Sequence, residues 1–197
     1  MTKKHYTATA IGVVWILLTA YVVVGGYNSL VRFDQQVQAQ WAQVENVYQR
    51  RADLVPNLVE TVKGAAKFER ETLTAVTEAR ARVGQLTPMQ APDEEGLKRF
   101  EGTQAALSGA LSRLLVVSER YPELKATANF RDLQVQLEGT ENRIAVERMR
   151  FNEAARDFNT ARNAFPTVLV ARLFARFHDK AYFEAQPTAT AAPVVKF

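Results

Sequence analysis

Between Thr7 and Gly26 the chain carries no charged side chain (TATAIGVVWILLTAYVVVGG). About 20 such residues are what a helix needs to cross a hydrocarbon core. The run therefore reads as one membrane-spanning helix, anchored by Ile11, Val14, Trp15, Leu17, Leu18 and Tyr21, with Tyr6 and Tyr27 near its ends at interfacial level. A cleaved signal peptide is the rival reading, because Lys3 and Lys4 form a basic start and Val24-Gly25-Gly26 offers small residues for cleavage. Against it, the apolar run outlasts the usual h-region of about 7 to 15 residues and a helical rhythm continues straight after it.

That rhythm places apolar residues at three- and four-residue steps: Tyr27, Leu30, Val31, Val37, Trp41, Val44, Tyr48, Ala52, Val55, Leu58, Val59, Val62 and Ala66. This is one face of a long amphipathic helix, and the spacing carries it on through Leu73 and Val76 to about Val83, beside Gly84. Pro56 removes a backbone donor within it, and Asp53 stands where it would cap a restarted helix, so a kink or short break is expected at 53–56. Gln85 to Pro92, with two prolines and no charge, reads as a loop.

A second helix follows, with Leu97, Phe100, Leu107, Leu111 and Leu114 on one stripe, ending near Tyr121-Pro122. A third starts around 126–130 and carries Phe130, Leu133, Leu137, Ile144, Phe151, Ala155, Phe158 and Phe165; Pro166 stops it. A short last helix is expected from Thr167 to Phe177. No strand alternation appears. The expected fold is all-α: an N-terminal transmembrane helix and an antiparallel up-and-down bundle of three long helices, with the short C-terminal helix closing one end. The chain divides into a short basic N-terminus (1–6), the span (7–26), the bundle (27–184) and an extended tail (185–197).

With 197 residues, 47% hydrophobic and 23% charged, the chain suits one globular core plus an anchor. Zero Cys excludes disulfides, thiolate metal sites and a Cys nucleophile, and the two histidines, His5 and His178, lie at opposite ends. Glu138, Glu141, Glu147 and Glu153 therefore lack the Glu-x-x-His partners of a di-iron bundle. Ser108, Ser112 and Ser118 have no neighbouring histidine to activate them, and Asp93-Glu94-Glu95 favours the positive end of a helix dipole over a metal. No cofactor, metal or enzymatic activity is expected. Setting Lys3 and Lys4 aside leaves 25 − 2 = 23 basic against 21 acidic residues, too even a balance for a nucleic-acid surface. The same two lysines put the N-terminus in the cytoplasm and the bundle outside it.

Four features carry candidate function. The cluster Arg50-Arg51-x-Asp53-x-x-Pro56-Asn57 either binds a partner or lipid headgroup, or is an ion pair and a cap fixing a kink. Asn152 and Asn159, seven residues apart, either set register between helices or line a ligand site. The basic amphipathic segment Phe165 to Lys180 either closes the bundle or lies in the membrane interface with Arg172, Arg176 and Lys180 toward headgroups. Val195-Lys196-Phe197 has the apolar-x-apolar-carboxylate form that a PDZ groove takes by strand addition.

The runs Tyr27-Asn28-Ser29-Leu30-Val31, Arg51-Ala-Asp-Leu-Val-Pro-Asn-Leu-Val59 and Thr61-Val62-Lys63-Gly64 resemble the LemA family of bacterial membrane proteins. The resemblance continues through Glu119-Arg-Tyr-Pro-Glu-Leu-Lys-Ala126, Glu141-Asn142-Arg143-Ile144-Ala145, Asn152, Asn159, Phe165-Pro166 and Tyr182-Phe183-Glu184, so it covers essentially the whole chain. Arg51, Asp53, Pro56, Asn57, Leu58 and Val59 form its most specific motif. Ala65 and Phe68 depart from it, standing where the family usually has Tyr and His. The resemblance implies one N-terminal membrane helix, a helical bundle and no established enzymatic activity. It also implies relatives that include a magnetosome-membrane protein, and for some members gene neighbourhoods with membrane metalloproteases. The family has also been described with its short N-terminus outside the cell, the reverse of the charge reading.

The expected function is that of a non-enzymatic membrane-anchored protein of the bacterial inner membrane that self-associates and organises or shapes the bilayer. Trp41, Tyr48, Leu173, Phe174 and Phe177 are the candidate self-association or membrane contacts. The alternative is an adaptor or regulator of a membrane protease or signalling protein. Orientation is directly testable because the chain is free of Cys. In Thr2→Cys and Gln85→Cys variants on intact spheroplasts, an impermeant thiol reagent is expected to label position 85 alone; labelling at 2 and not at 85 reverses the topology.

Overall fold

The computed structural model describes residues 2–63, 69–86 and 91–184, with side chains described from Ile11 onward. Ala65, Phe68, the middle of the Gln85–Pro92 loop and the 185–197 tail with its Val195-Lys196-Phe197 terminus lie outside the described residues. Among the described residues every regular element is a helix: α1 (Thr2–Lys63), α2 (Arg70–Gly84), α3 (Glu94–Ser118), α4 (Pro122–Lys125), α5 (Ala128–Asn163) and α6 (Thr167–Leu173).

At 1.5 Å per residue, the 62 residues of α1 make a rod about 93 Å long. Its first part, including Ile11, Val14, Trp15, Leu17, Leu18 and Tyr21, projects from the bundle with these apolar side chains exposed. From Leu30 onward the three-four rhythm is buried: Leu30, Val37, Trp41, Val44 and Tyr48, then Ala52, Val55, Leu58, Val59 and Val62. One helix thus serves as anchor and as central bundle strut.

Along α1 the structure departs from the sequence expectation twice. Helix α1 runs through Pro56 without a break, although proline removes the N–H that would bond the carbonyl of Ala52. That carbonyl instead accepts a hydrogen bond from Arg80 Nε of α2, 3.2 Å away. The orphan acceptor is satisfied from a neighbouring helix, and the same bond ties α2 to α1. The helix does end, however, at Lys63, and the apolar positions Leu73, Val76 and Val83 belong to a separate helix running back alongside it. Both arms of a helical hairpin keep a three-four rhythm, so periodicity alone reads across the junction.

Helix α3 starts at an Asp93 N-cap, whose carboxylate accepts from Gly96 N at 2.8 Å, with Glu94 and Glu95 in the first turn. It runs parallel to α1, placing Leu97 and Phe100 near Trp41 and Gln104 and Ser108 at Arg51. Thr127 caps α5, which returns antiparallel along α1, Glu141 opposite Arg51 and Phe151 opposite Trp41. The result is an up-and-down bundle of α1, α2, α3 and α5, in place of three long helices.

The bundle has unequal ends. At the distal end all four helices share one core, built on Val55, Val62, Val76, Leu107, Leu114 and Phe130. At the end nearer the anchor α2 is absent and α3 contributes only its first turns, so α1 and α5 are covered by α6 and the extended segment 174–184. The last helix was expected to reach Phe177; it stops at Leu173, and the chain continues extended. At Gly26 α6 approaches α1 closely, since a Cβ there would lie 2.9 Å from Val170 Cγ2.

The Arg80–Ala52 bond yields a double-mutant cycle. Arg80→Met is expected to destabilise the detergent-solubilised protein by about 1 kcal/mol, the worth of one such hydrogen bond, read from the urea midpoint. In a Pro56→Ala background, where the restored N–H serves the Ala52 carbonyl, the same change should cost clearly less. Equal costs in both backgrounds would remove Arg80 from this role.

Candidate functional site

Between the two hydrophobic clusters lies a polar layer centred on Arg51. Its guanidinium is buried, and Nη1 donates to Ser108 Oγ (2.7 Å) and Glu141 Oε1 (2.9 Å). Nη2 donates to the backbone oxygen of Gln104 at 3.2 Å and to Gln104 Oε1. Its face lies over the Tyr48 ring, 4.9 Å from the centroid. One α1 side chain therefore joins α3 and α5 at a single level. Burying a cation is costly unless it is paired and hydrogen-bonded. Here the counter-charge is only partly buried, with the Arg51 side chain 2% and the Glu141 side chain 45% exposed, so the carboxylate keeps some of its hydration. Nε alone has no partner among the described residues. Burial pushes the Tyr48 phenol up from its ordinary value, with Arg148 and Arg51 opposing.

The rest of the Arg51 motif divides by helix face. Leu58 and Val59 are core residues; Asp53, Pro56 and Asn57 face outward. Asp53 accepts from Gln49 Nε2 at 2.8 Å, one helical turn away, and caps no restarted helix.

A second constellation lies on α5. Asn152 takes both backbone groups of Phe183, its Oδ1 accepting from the N–H (2.8 Å) and its Nδ2 donating to the carbonyl (2.9 Å). Asn159 does the same with Lys180, at 2.8 and 2.9 Å. The spacing explains the match: seven residues of helix rise about 10.5 Å, and three residues of extended chain span about 10 Å. Each side-chain amide thus stands in for a β-bridge partner. Arg162 Nε donates to the Phe177 carbonyl (2.8 Å) and Arg148 Nη2 to that of Glu184 (2.9 Å), completing a row of four residues that grips segment 177–184 by its backbone. The asparagines therefore fix a C-terminal strap, and their partners are not side chains of another helix.

The strap delivers Phe177 and Phe183 into the proximal core. Phe183 stacks on Trp41 (centroids 6.2 Å) and meets Phe151 edge-on (5.4 Å), under the Arg148 guanidinium at 4.6 Å. Arg148 also pairs with Glu101 at 2.6 Å; burial pushes the Glu101 carboxyl up, and the Arg148 charge partly counters it. Lys180 reaches Asp34 of α1 at 2.6 Å. Trp41 and Tyr48, named from the sequence as self-association or membrane contacts, are each only 4% exposed because Phe100, and for Trp41 also Phe151 and Phe183, enclose them. Phe177 is buried as well; of that group only Leu173 and Phe174 reach the surface.

Among the described residues no cluster of His, Asp and Glu is arranged to hold a metal ion, and apart from Arg51 Nε the hydrogen bonds of both constellations run to the fold itself. These features define a helical bundle built on one long apolar N-terminal helix, closed by a backbone-gripped strap. The chain belongs to the LemA family, whose model matches residues 40–197. It is 25% identical over 179 residues to Magnetosome protein MamQ of Magnetospirillum gryphiswaldense and 26% identical to Magnetosome protein MamQ 2 of Paramagnetospirillum magneticum, in each case over 82% of this chain and 65% of the relative. It is 24% identical over 152 residues to Protein LemA of Metamycoplasma hominis, over 77% of this chain and 66% of that protein. The chain thus spans about two thirds of the length of these relatives.

Removing either partner of the central ion pair is expected to have unequal effects. Glu141→Ala leaves a buried guanidinium without its counter-charge and should cost up to about 3 kcal/mol, the low end for a stranded buried charge because water reaches that side. Arg51→Met fills the space with an apolar chain and leaves Glu141 to solvent, so its cost should be smaller. Urea midpoints in detergent decide it; a larger loss for Arg51→Met would mean that Ser108 and Gln104, and not the carboxylate, hold the layer.

Proposed function

We propose that this protein is a non-enzymatic scaffold of the bacterial inner membrane, N-terminus in the cytoplasm, that associates with further copies of itself and organises or shapes the bilayer. The observation that carries the reading is the continuity of α1 from an exposed apolar stretch into the bundle core without a break. A tilt of the bundle is thereby a tilt of the anchor, so lateral contacts between bundles act on the membrane. An outward row on α5, with Val135, Val146 and Met149 exposed, supplies apolar surface for such side-by-side contact. Membership of a family with magnetosome relatives agrees with a membrane-organising role. The proposed partners are the bilayer and the chain itself.

Light scattering and electron microscopy on gently extracted full-length protein are expected to find a uniform multi-copy particle, dispersed by Val146→Lys with Met149→Lys at unchanged helical content. One copy per micelle in the unaltered protein would overturn the scaffold reading, and a co-purifying membrane protease would then favour an adaptor.

A further inference from the structure

The end of the bundle nearest the anchor has two faces, and only one is used by the fold. On α6, Val170 and Ala171 turn inward against α1 and α5, and Phe177 of the strap joins the same core. The opposite side carries Leu169 and Leu173, one turn apart, with Arg172 beside them about 60° round the helix from Leu169, and Phe165 just before the helix. These are open: Phe165 is 80%, Leu173 70% and Leu169 53% exposed. Arg172 has no ion-pair partner among the described residues.

What covers this face follows from where it lies. Residues Thr7 to Gly26 make about 30 Å of uncharged helix, the thickness of a hydrocarbon core, so Gly26 marks the level where the chain leaves it. Val170 of α6 touches α1 at Gly26 itself. Tyr27, one residue on, packs edge-on against Phe174 (4.9 Å) and Phe177 (5.6 Å), and its hydroxyl accepts from Arg176 at 3.3 Å. The open apolar face is therefore held at headgroup depth by direct contact with the helix that crosses the membrane. The charge agrees after pairing: Asp179 takes Arg162 and Asp34 takes Lys180, with Arg176 at its edge 3.9 Å away, which leaves Arg172 as a cation without a counter-charge among the described residues, as suits an anionic lipid surface.

We infer that Phe165, Leu169 and Leu173, flanked by Arg172, form an interfacial collar that enters the headgroup–acyl boundary of the same bilayer that α1 spans. The bundle is then fixed at a second point beside its anchor and stands on the membrane at a set angle. The inference rests on α1 as the anchor and not on self-association.

Its test uses full-length protein in vesicles of phosphatidylethanolamine and phosphatidylglycerol, with an environment-sensitive fluorophore on single cysteines. Leu169→Cys and Leu173→Cys report on the collar, Leu17→Cys on the span, and Val116→Cys on an exposed site in the distal part of the bundle. The collar positions are expected to emit blue-shifted and to be quenched several-fold more by lipids bearing a nitroxide near the headgroup than by lipids bearing it deep in the chain. Position 17 should respond to the deep nitroxide and position 116 to neither. Because the collar side chains are exposed, these changes leave the core intact, which circular dichroism verifies. Collar positions as wet as 116, with 17 still quenched, would overturn the collar and leave the anchor standing. Shielding at 169 and 173 without lipid quenching, but with self-quenching between labelled copies, would assign the face to a second copy and also overturn it. Loss of quenching at 17 would remove anchor and collar together.

Discussion

Arg51 sets the level at which this bundle changes character. Beyond it, away from the anchor, four helices enclose an aliphatic core; before it, two helices, a short helix and a strap enclose an aromatic one. At that level the Arg51 side chain leaves α1 and reaches both α3 and α5, and its planar donors suit a carboxylate, an amide and a hydroxyl together. Apolar residues at that position would let α3 slide along α1 by a turn at little cost. A buried cation with fixed acceptors does not allow it, because each shifted register leaves donors unpaired.

The proximal half poses a different problem, since α1 and α5 alone cannot bury their facing stripes. The chain solves it with backbone in extended form. A strap without hydrogen bonds of its own would leave its peptide groups unsatisfied against an apolar groove, and Asn152, Asn159, Arg148 and Arg162 remove that cost from the α5 side. Gripped by its main chain, the strap is free to turn Phe177 and Phe183 inward while Lys180 reaches Asp34. Three separate parts of the sequence, α1, α5 and the strap, are thereby locked together at the end of the bundle closest to the anchor.

The sequence makes the helices and their inward faces legible because a three-four rhythm follows directly from helical geometry; Leu30 to Val62 on α1 and Phe130 to Phe158 on α5 are buried as the spacing predicts. It hides what depends on partners distant in the chain. The Pro56 donor gap reads as a break until Arg80 is seen to serve Ala52. The α1–α2 junction is invisible to periodicity because both arms share it. For Arg51 the sequence leaves open a partner site or an ion pair, and only the fold supplies the acid, Glu141, 90 residues away. The seven-residue spacing of Asn152 and Asn159 suits a helix or a strap alike, and only the extended chain of 174–184 decides between them. Trp41 and Tyr48 attract attention as large aromatic residues, and the strap that covers Trp41 carries no periodic signal at all.

Rigidity is the consequence that links these parts. A helix crossing from bilayer to bundle transmits orientation only if nothing hinges at the crossing, and two features oppose a hinge there. Of the adjacent pair Gly25 and Gly26, the first is open and the second is pressed against Val170, so bending α1 at Gly26 means separating α6 from it. Tyr27 is wedged against Phe174 and Phe177, which the strap ties to α5 through Arg162. A glycine that would ordinarily loosen the helix is instead packed closely against Val170, and its neighbour Tyr27 is held by contacts more than 140 residues away in sequence. These contacts, together with the unbroken α1, brace the exposed apolar stretch against the bundle.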